Sequence, residues 1–140
     1  MTLTALVALM VELAGPDCRA PCQRRAAKLA PVLLAEAGEM SSLGAGVSFH
    51  ESSYRQHAVS HKGAIGVMGI HPGPTADAAV YCRDLDVTTM LGNVRCGVRL
   101  LRRAMTKCGP DPAIFLSRYR GERCGKSDYA RNVLDRLPKV

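Results

Sequence analysis

The chain has no tryptophan, two phenylalanines and four tyrosines among 140 residues. So small an aromatic supply argues against a surface on which nucleic-acid bases stack, and leaves the core to Leu, Val, Ala and Met, which suit packed helices. No apolar run approaches the roughly 20 residues that span a bilayer, so stable membrane insertion is not expected. Cys-x-x-Cys spacing is missing, since Cys18 and Cys22 stand four apart, and this argues against a structural zinc site. The helical zinc motif begun by His50-Glu51 fails because its second histidine would fall at Tyr54. His57 and His61 are four apart but lack an evident third ligand, so no metal is assigned. Nor is there a Gly-x-Ser-x-Gly elbow, and the glycines of "GAIGVMG" lack the lysine of a phosphate loop. With no repeats, low-complexity linkers or composition breaks, residues 1–140 read as a single domain.

Charge is plentiful but uneven. The formal net charge is +7, and residues 95–140 hold 12 Lys/Arg against 4 Asp/Glu, while residues 1–94 hold 7 against 8. Arg95, Arg99, Arg102, Arg103 and Lys107 fall mostly on the outer side of one expected helix. That face suits an anionic polymer, a glycan or membrane surface ahead of nucleic acid, or else is simply a solvated face. The six cysteines permit three disulfides in any of 15 connectivities, as in an exported protein, or else six thiols in a reduced one. The opening "MTLTALVALMVELAGPDC" lacks a positive n-region and carries Glu12 within its apolar run, so it is not a convincing signal peptide.

The pattern is helical nearly throughout. A helix over residues 2–14 stops at Gly15-Pro16. A second runs from about Asp17 to Ala37, with Pro21 in its first turn and Pro31 kinking or dividing it. Ser41 or Ser42 caps "LGAGVSFHESSY", whose glycines allow close approach and whose C-terminal end carries Glu51. Residues 60–72 are loop with room for a small hairpin. Short helical pattern follows from Pro74 to Cys82, then the clearest helix, opened by Thr88 or Thr89 and running to about Lys107 with Met90, Val94, Val98, Leu101 and Met105 inward. Helices over Asp111–Tyr119 and Ser127–Leu137 complete the expected fold, all-α or α with a minor hairpin.

A glutamate at the end of an apolar helix face can have its charged form desolvated, which raises its pKa and keeps it a proton donor near neutrality. Glu51 is in that position, although most helical glutamates are solvated surface residues. Its surroundings carry a resemblance. "ESSYRQHAVSHKGAIGVMGIHP" resembles the first motifs of the soluble-type lytic transglycosylases (SLT domain), relatives of goose-type lysozyme, in which a catalytic Glu-Ser precedes an Ala-Val-Ser turn, a Gly-Ala-x-Gly-Leu-Met-Gln stretch and a proline. "DLDVTTMLGNVRCGVRLLRRAM", with Asn93 and Gly97, is similar to the family's Asp, Asn and Gly helix; "AIFLSRYRG" and "SDYARNVL" stand where its Ala-Tyr-Asn-x-Gly segment and closing helix do. The likeness covers residues from about 25 to 137.

The resemblance implies a lysozyme-like fold with a substrate cleft, and cleavage of peptidoglycan glycan strands between N-acetylmuramic acid and N-acetylglucosamine without metal or organic cofactor. It implies that Glu51 is the general acid and base, that Ser52 and Ser60 belong to the substrate side, that Met68 lines the sugar cleft and that Tyr119 hydrogen-bonds near the glutamate. One carboxylate suffices if the muramoyl C6 hydroxyl attacks C1, leaving a 1,6-anhydro sugar. Two departures stand out: Gly69 replaces the family's Gln, and Arg120 its Asn. They leave room for two rivals, a muramidase in which Asp77, Asp84 or Asp86 holds a water, and a non-catalytic component of a phage particle or secretion apparatus. The expected location is periplasmic, otherwise extracytoplasmic, or virion-associated.

Overall fold

The third helix is made of small residues, and the rest of the fold gathers around it. In "SSLGAGVSFHES" the buried positions include Ser41, Gly44, Ala45, Gly46, Val47 and Ser48. Each glycine costs a helix about 1 kcal/mol relative to alanine. Packing explains their use: a Cβ on Gly44 would stand 2.8 Å from Leu33 Cδ1, and one on Gly46 would stand 3.3 Å from Val133 and Leu137. Helices from both sides therefore approach the backbone that carries Glu51.

The computed structural model describes residues 1–139. In chain order the helices are α1 (Leu3–Ala14), α2 (Ala20–Ala37), α3 (Ser41–Ser52), α4 (Asp77–Tyr81), α5 (Met90–Cys108), α6 (Pro112–Tyr119) and α7 (Asp128–Arg136), with a 3-10 turn at Gly38–Met40 before α3. The protein is all-α; residues 59–70 add only isolated antiparallel bridges, Val59 with Ile65 and Ile65 with Ile70, in place of a hairpin. One core joins the helices, with Leu6, Met10, Leu29, Leu33, Leu101, Phe115 and Leu116 fully or almost fully buried. Leu6, Met10 and Leu13 bring α1 into that core, so the opening apolar segment is part of the fold.

Several ends differ from the sequence expectation for local reasons. Residues 15–19 are taken up by turns, and α2 begins at Ala20, then passes unbroken through Pro31. Neither Ser41 nor Ser42 caps α3, because the 3-10 turn runs straight into it and the Ser41 hydroxyl donates to the Gly38 carbonyl (2.6 Å). Thr89, Asp111 and Ser127 do cap α5, α6 and α7, each accepting a backbone N–H from the first turn. On α5, Val94, Val98 and Leu101 are buried, Met90 and Met105 only half so, and Asn93, Cys96, Gly97 and Ala104 widen the inward face.

The arginines of α5 are not a free basic face. Arg95 pairs with Glu36 (3.1 Å) and Arg99 with Asp84 (2.6 Å), Arg102 reaches the Glu36 carbonyl, and Arg103 lies 3.8 Å over the Tyr81 ring. They tie α5 to α2 and α4.

All six cysteines are paired, as Cys18–Cys22, Cys82–Cys96 and Cys108–Cys124. That state belongs to an oxidising, extracytoplasmic environment. Among the described residues no helix is long and apolar enough to cross a membrane.

Candidate active site

Glu51 sits in the last turn of α3, and the chain reverses immediately after it. Ser53 and Tyr54 both lie in the left-handed region, with φ of 53° and 65°. Such residues cost about 1–3 kcal/mol each and persist where the surroundings over-determine them. Here the Tyr54 ring is buried, its hydroxyl donates to the Met10 carbonyl (2.8 Å), and Arg25 Nε donates to the Ser53 carbonyl (3.2 Å). The reversal leaves the half-buried Glu51 carboxyl beside an open concavity of about 810 Å³. Parts of the 60–71 segment (60–62, 64 and 69–71), the start of α4, α5 at Leu100 and Lys107, and the end of α6 with the α6–α7 connection line most of the rest.

Burial pushes the Glu51 pKa above its ordinary 4.5, against the opposing pull of a hydrogen bond from Tyr129 and of the nearby Arg120 charge. Tyr129 donates its hydroxyl to Glu51 Oε2 (3.0 Å) and is itself held protonated by burial and by the adjacent carboxylate. His50 meets the Tyr129 ring edge-on at 5.0 Å, and burial, then Arg120 and Arg136, holds its pKa below the usual histidine value. Arg120 lies 5.3 Å from the centroid of the same ring and pairs with Glu122 (3.5 Å).

Gly69 leaves the space that the Glu51 carboxyl fills. It has φ +63°, and a Cβ there would stand 2.7 Å from Glu51 Cδ and 2.9 Å from Oε1. Glycine meets both demands, a left-handed backbone and space for the carboxyl.

The other expected site residues divide. Ser60 lines the concavity, where its Oγ accepts the Ala64 N–H (3.0 Å) and closes the turn. Ser52 is turned inward: its hydroxyl lies 2.8 Å from the Ser48 carbonyl and 2.9 Å from the Val67 carbonyl, fastening α3 to the 58–70 segment. Met68 is fully buried and lines no cleft, because its side chain packs where Gly97 of α5 leaves room. Tyr119 lines the concavity and feels the Glu51 charge, but its hydroxyl donates to the Met68 carbonyl (2.6 Å). Tyr129 is the tyrosine bonded to Glu51, and its signal was the i, i+4 pair Tyr129 and Val133, which with Ala130 and Leu134 makes the apolar face of α7.

Asn93, buried in α5, supports this wall from behind. Its Oδ1 accepts the Met68 N–H (2.8 Å), and its Nδ2 donates to the carbonyls of Ile65 (3.0 Å) and Val87 (2.9 Å). The segment carrying Gly69 is thus pinned through its own backbone.

Compared with protein-family models, curated proteins and solved structures, the chain matches none. The site therefore rests on its own chemistry.

Besides Glu51 two carboxylates line the concavity, and both are paired: Asp77 with Arg118 through two contacts (2.7 and 3.3 Å), and Glu122 with Arg120. Asp84 and Asp86 lie outside it, Asp84 bound to Arg99 and Asp86 accepting the N–H (3.0 Å) and hydroxyl (2.5 Å) of Thr88. Among the described residues no three His, Cys, Asp or Glu side chains converge as a metal-binding group. The arrangement can deliver and recover one proton at one carboxyl, within a concavity of the size that takes sugar-sized ligands.

Proposed function

We propose that the protein is a peptidoglycan lytic transglycosylase with a lysozyme-like fold, and that Glu51 is its only acid and base. The observation that carries this reading is a half-buried carboxyl with a raised pKa, open to a concavity whose other carboxylates are already bound to arginines. The resemblance of residues 51–72 and of the three later segments to the soluble-type transglycosylases supports it.

In this mechanism the protonated Glu51 gives its proton to the glycosidic oxygen between N-acetylmuramic acid and N-acetylglucosamine as the bond to C1 breaks. The muramoyl C6 hydroxyl then attacks C1 and returns its proton to Glu51, leaving a 1,6-anhydro end. The internal hydroxyl supplies by proximity what a second carboxylate and water supply in ordinary glycosidases. Tyr129, which donates to the carboxylate, stabilises the charged form between the two proton transfers. Gly69, where the family has Gln, leaves space at the carboxyl in place of an amide.

Mass spectrometry of the soluble products from purified peptidoglycan, with the parent and with Glu51→Gln, tests the reading. Anhydromuropeptides from the parent alone are expected. Reducing ends that depend on Glu51 would instead make it a muramidase, and glycan binding without products would make it a non-catalytic component of a virion or secretion apparatus.

A further inference from the structure

Lys107 and Arg123 come from different elements, yet a disulfide joins the residues that follow them. Lys107 ends α5 next to Cys108, and Arg123 precedes Cys124 in the α6–α7 connection; the disulfide between these cysteines sets their Cα atoms 5.4 Å apart. Both cations are exposed and both line the Glu51 concavity. Neither has an acidic partner among the described residues. The acids near them in sequence are otherwise engaged: Glu122 pairs with Arg120, and Asp111 accepts the Ala113 N–H at the start of α6 (3.0 Å). This contrasts with the arginines of α5, each of which has a protein partner.

The helix dipole explains a cation at Lys107 alone, since the C-terminus of α5 carries partial negative charge. It does not explain a second cation on the same concavity, brought there by the neighbouring disulfide. Two unpaired cations on one concavity give it a positive potential, and an anion bound there gains attraction from both. Arginine adds a planar fork that fits a carboxylate.

We propose that Lys107 and Arg123 form a carboxylate-binding clasp in the concavity, which recognises acidic substituents on the glycan. The proposal rests on the peptidoglycan reading for the identity of the glycan: each N-acetylmuramic acid bears a lactyl arm that ends either as a free carboxylate or in a peptide stem with carboxylates of its own. Both present the same chemistry at the side of the sugar chain.

Co-sedimentation tests this with the Glu51→Gln protein, which binds without turnover, on three insoluble glycans: peptidoglycan with its stems, peptidoglycan stripped of stems by an amidase, and chitin, which has the β-1,4 N-acetylglucosamine backbone and no lactyl carboxylate. Binding to at least one peptidoglycan is expected to exceed binding to chitin. Adding Lys107→Gln and Arg123→Gln is expected to weaken it about three- to tenfold toward the chitin level. Lys107→Arg with Arg123→Lys should keep the affinity, and Arg99→Gln, which removes a cation outside the concavity, should leave it unchanged. Preference for the intact or the stripped polymer tells whether stem or lactyl carboxylates are bound. Equal affinity for chitin, or indifference to the double substitution in a folded protein, overturns the clasp. If the parent releases no anhydromuropeptides while the Lys107 and Arg123 dependence holds, the transglycosylase reading falls and the clasp stands.

Discussion

On the Glu51 side of the concavity the polar side chains are satisfied by the protein itself, whereas the rim at Lys107 and Arg123 carries cations with no acidic partner. Ser52, Asn93, Tyr119 and Tyr129 spend their hydrogen bonds on backbone carbonyls, a backbone N–H or Glu51. Such satisfaction fixes a geometry at the cost of adaptability, which suits a group that must meet one bond of the substrate. The rim is the reverse: exposed side chains without acidic partners give little stability and are free to meet a ligand. Substitutions on the first side should therefore alter turnover and stability together, and those on the rim mainly affinity.

The largest break in that contrast comes from Glu51→Gln. Removing the acid should cost about 10²–10⁴ in turnover. Stability should move the other way. Because burial raises the Glu51 pKa in the folded state, the native protein holds a proton there that the unfolded chain has lost, and stability falls as pH rises from about 4.5 through the raised value. The amide never incurs that loss. At pH 7 the variant should be the more stable of the two, the gap closing toward pH 4, as thermal melts across pH will show. A gap that widens toward acid would mean that the carboxylate is stabilised in the fold and not desolvated.

Gly69→Gln, which restores the residue usual in the family the chain resembles, should come next. In this backbone the new Cβ meets the Glu51 carboxyl at under 3 Å. Overpacking of this kind costs about 1–3 kcal/mol, and a displacement of about 1 Å at a reacting group about 10²-fold in rate. Gly69→Ala, carrying only the Cβ, separates the clash from any gain by the amide. If Gln raises turnover while Ala lowers it, the finished wall lacks a substrate contact that glycine merely tolerates.

How far the sequence reveals these two sides depends on which physical signal each residue leaves. Helix order, the opening of α5 at Thr88 or Thr89, the helix starts near Asp111 and Ser127, and the close approaches at Gly44 and Gly46 were legible because helix starts and apolar period act locally. Glu51 was legible as a carboxyl at the end of an apolar face, which the fold half-buries beside the concavity; its proposed role as the acid comes from the resemblance. Met68 and Ser52 turn inward, which a motif cannot reveal: Met68 is held by Asn93 of α5, 25 residues further on, and Ser52 by the Val67 carbonyl. The arginines of α5 looked free for the same reason: Glu36 and Asp84 lie on other elements. Lys107 and Arg123 could be joined only by knowing which of 15 cysteine connectivities holds.

Tyr129→Phe gives the smallest and most discriminating change, because it removes one hydroxyl from the finished wall and leaves the ring. The bond to Glu51 is charge-assisted, and such bonds contribute about 1.5–3 kcal/mol. Its loss no longer stabilises the carboxylate, so the Glu51 pKa should rise further above 4.5, since this bond is the largest of the effects that lower it. A proton donor with a higher pKa stays protonated to higher pH. The alkaline limb of the turnover profile should therefore move to higher pH, while the plateau falls by about tenfold as the charged intermediate state loses its donor. Affinity for glycan measured in the Glu51→Gln background should not change, since Lys107 and Arg123 are untouched. A limb that stays in place with a lowered plateau would make Tyr129 a packing residue, and a limb that moves to lower pH would show that burial, not the hydroxyl, had been relieved by the substitution.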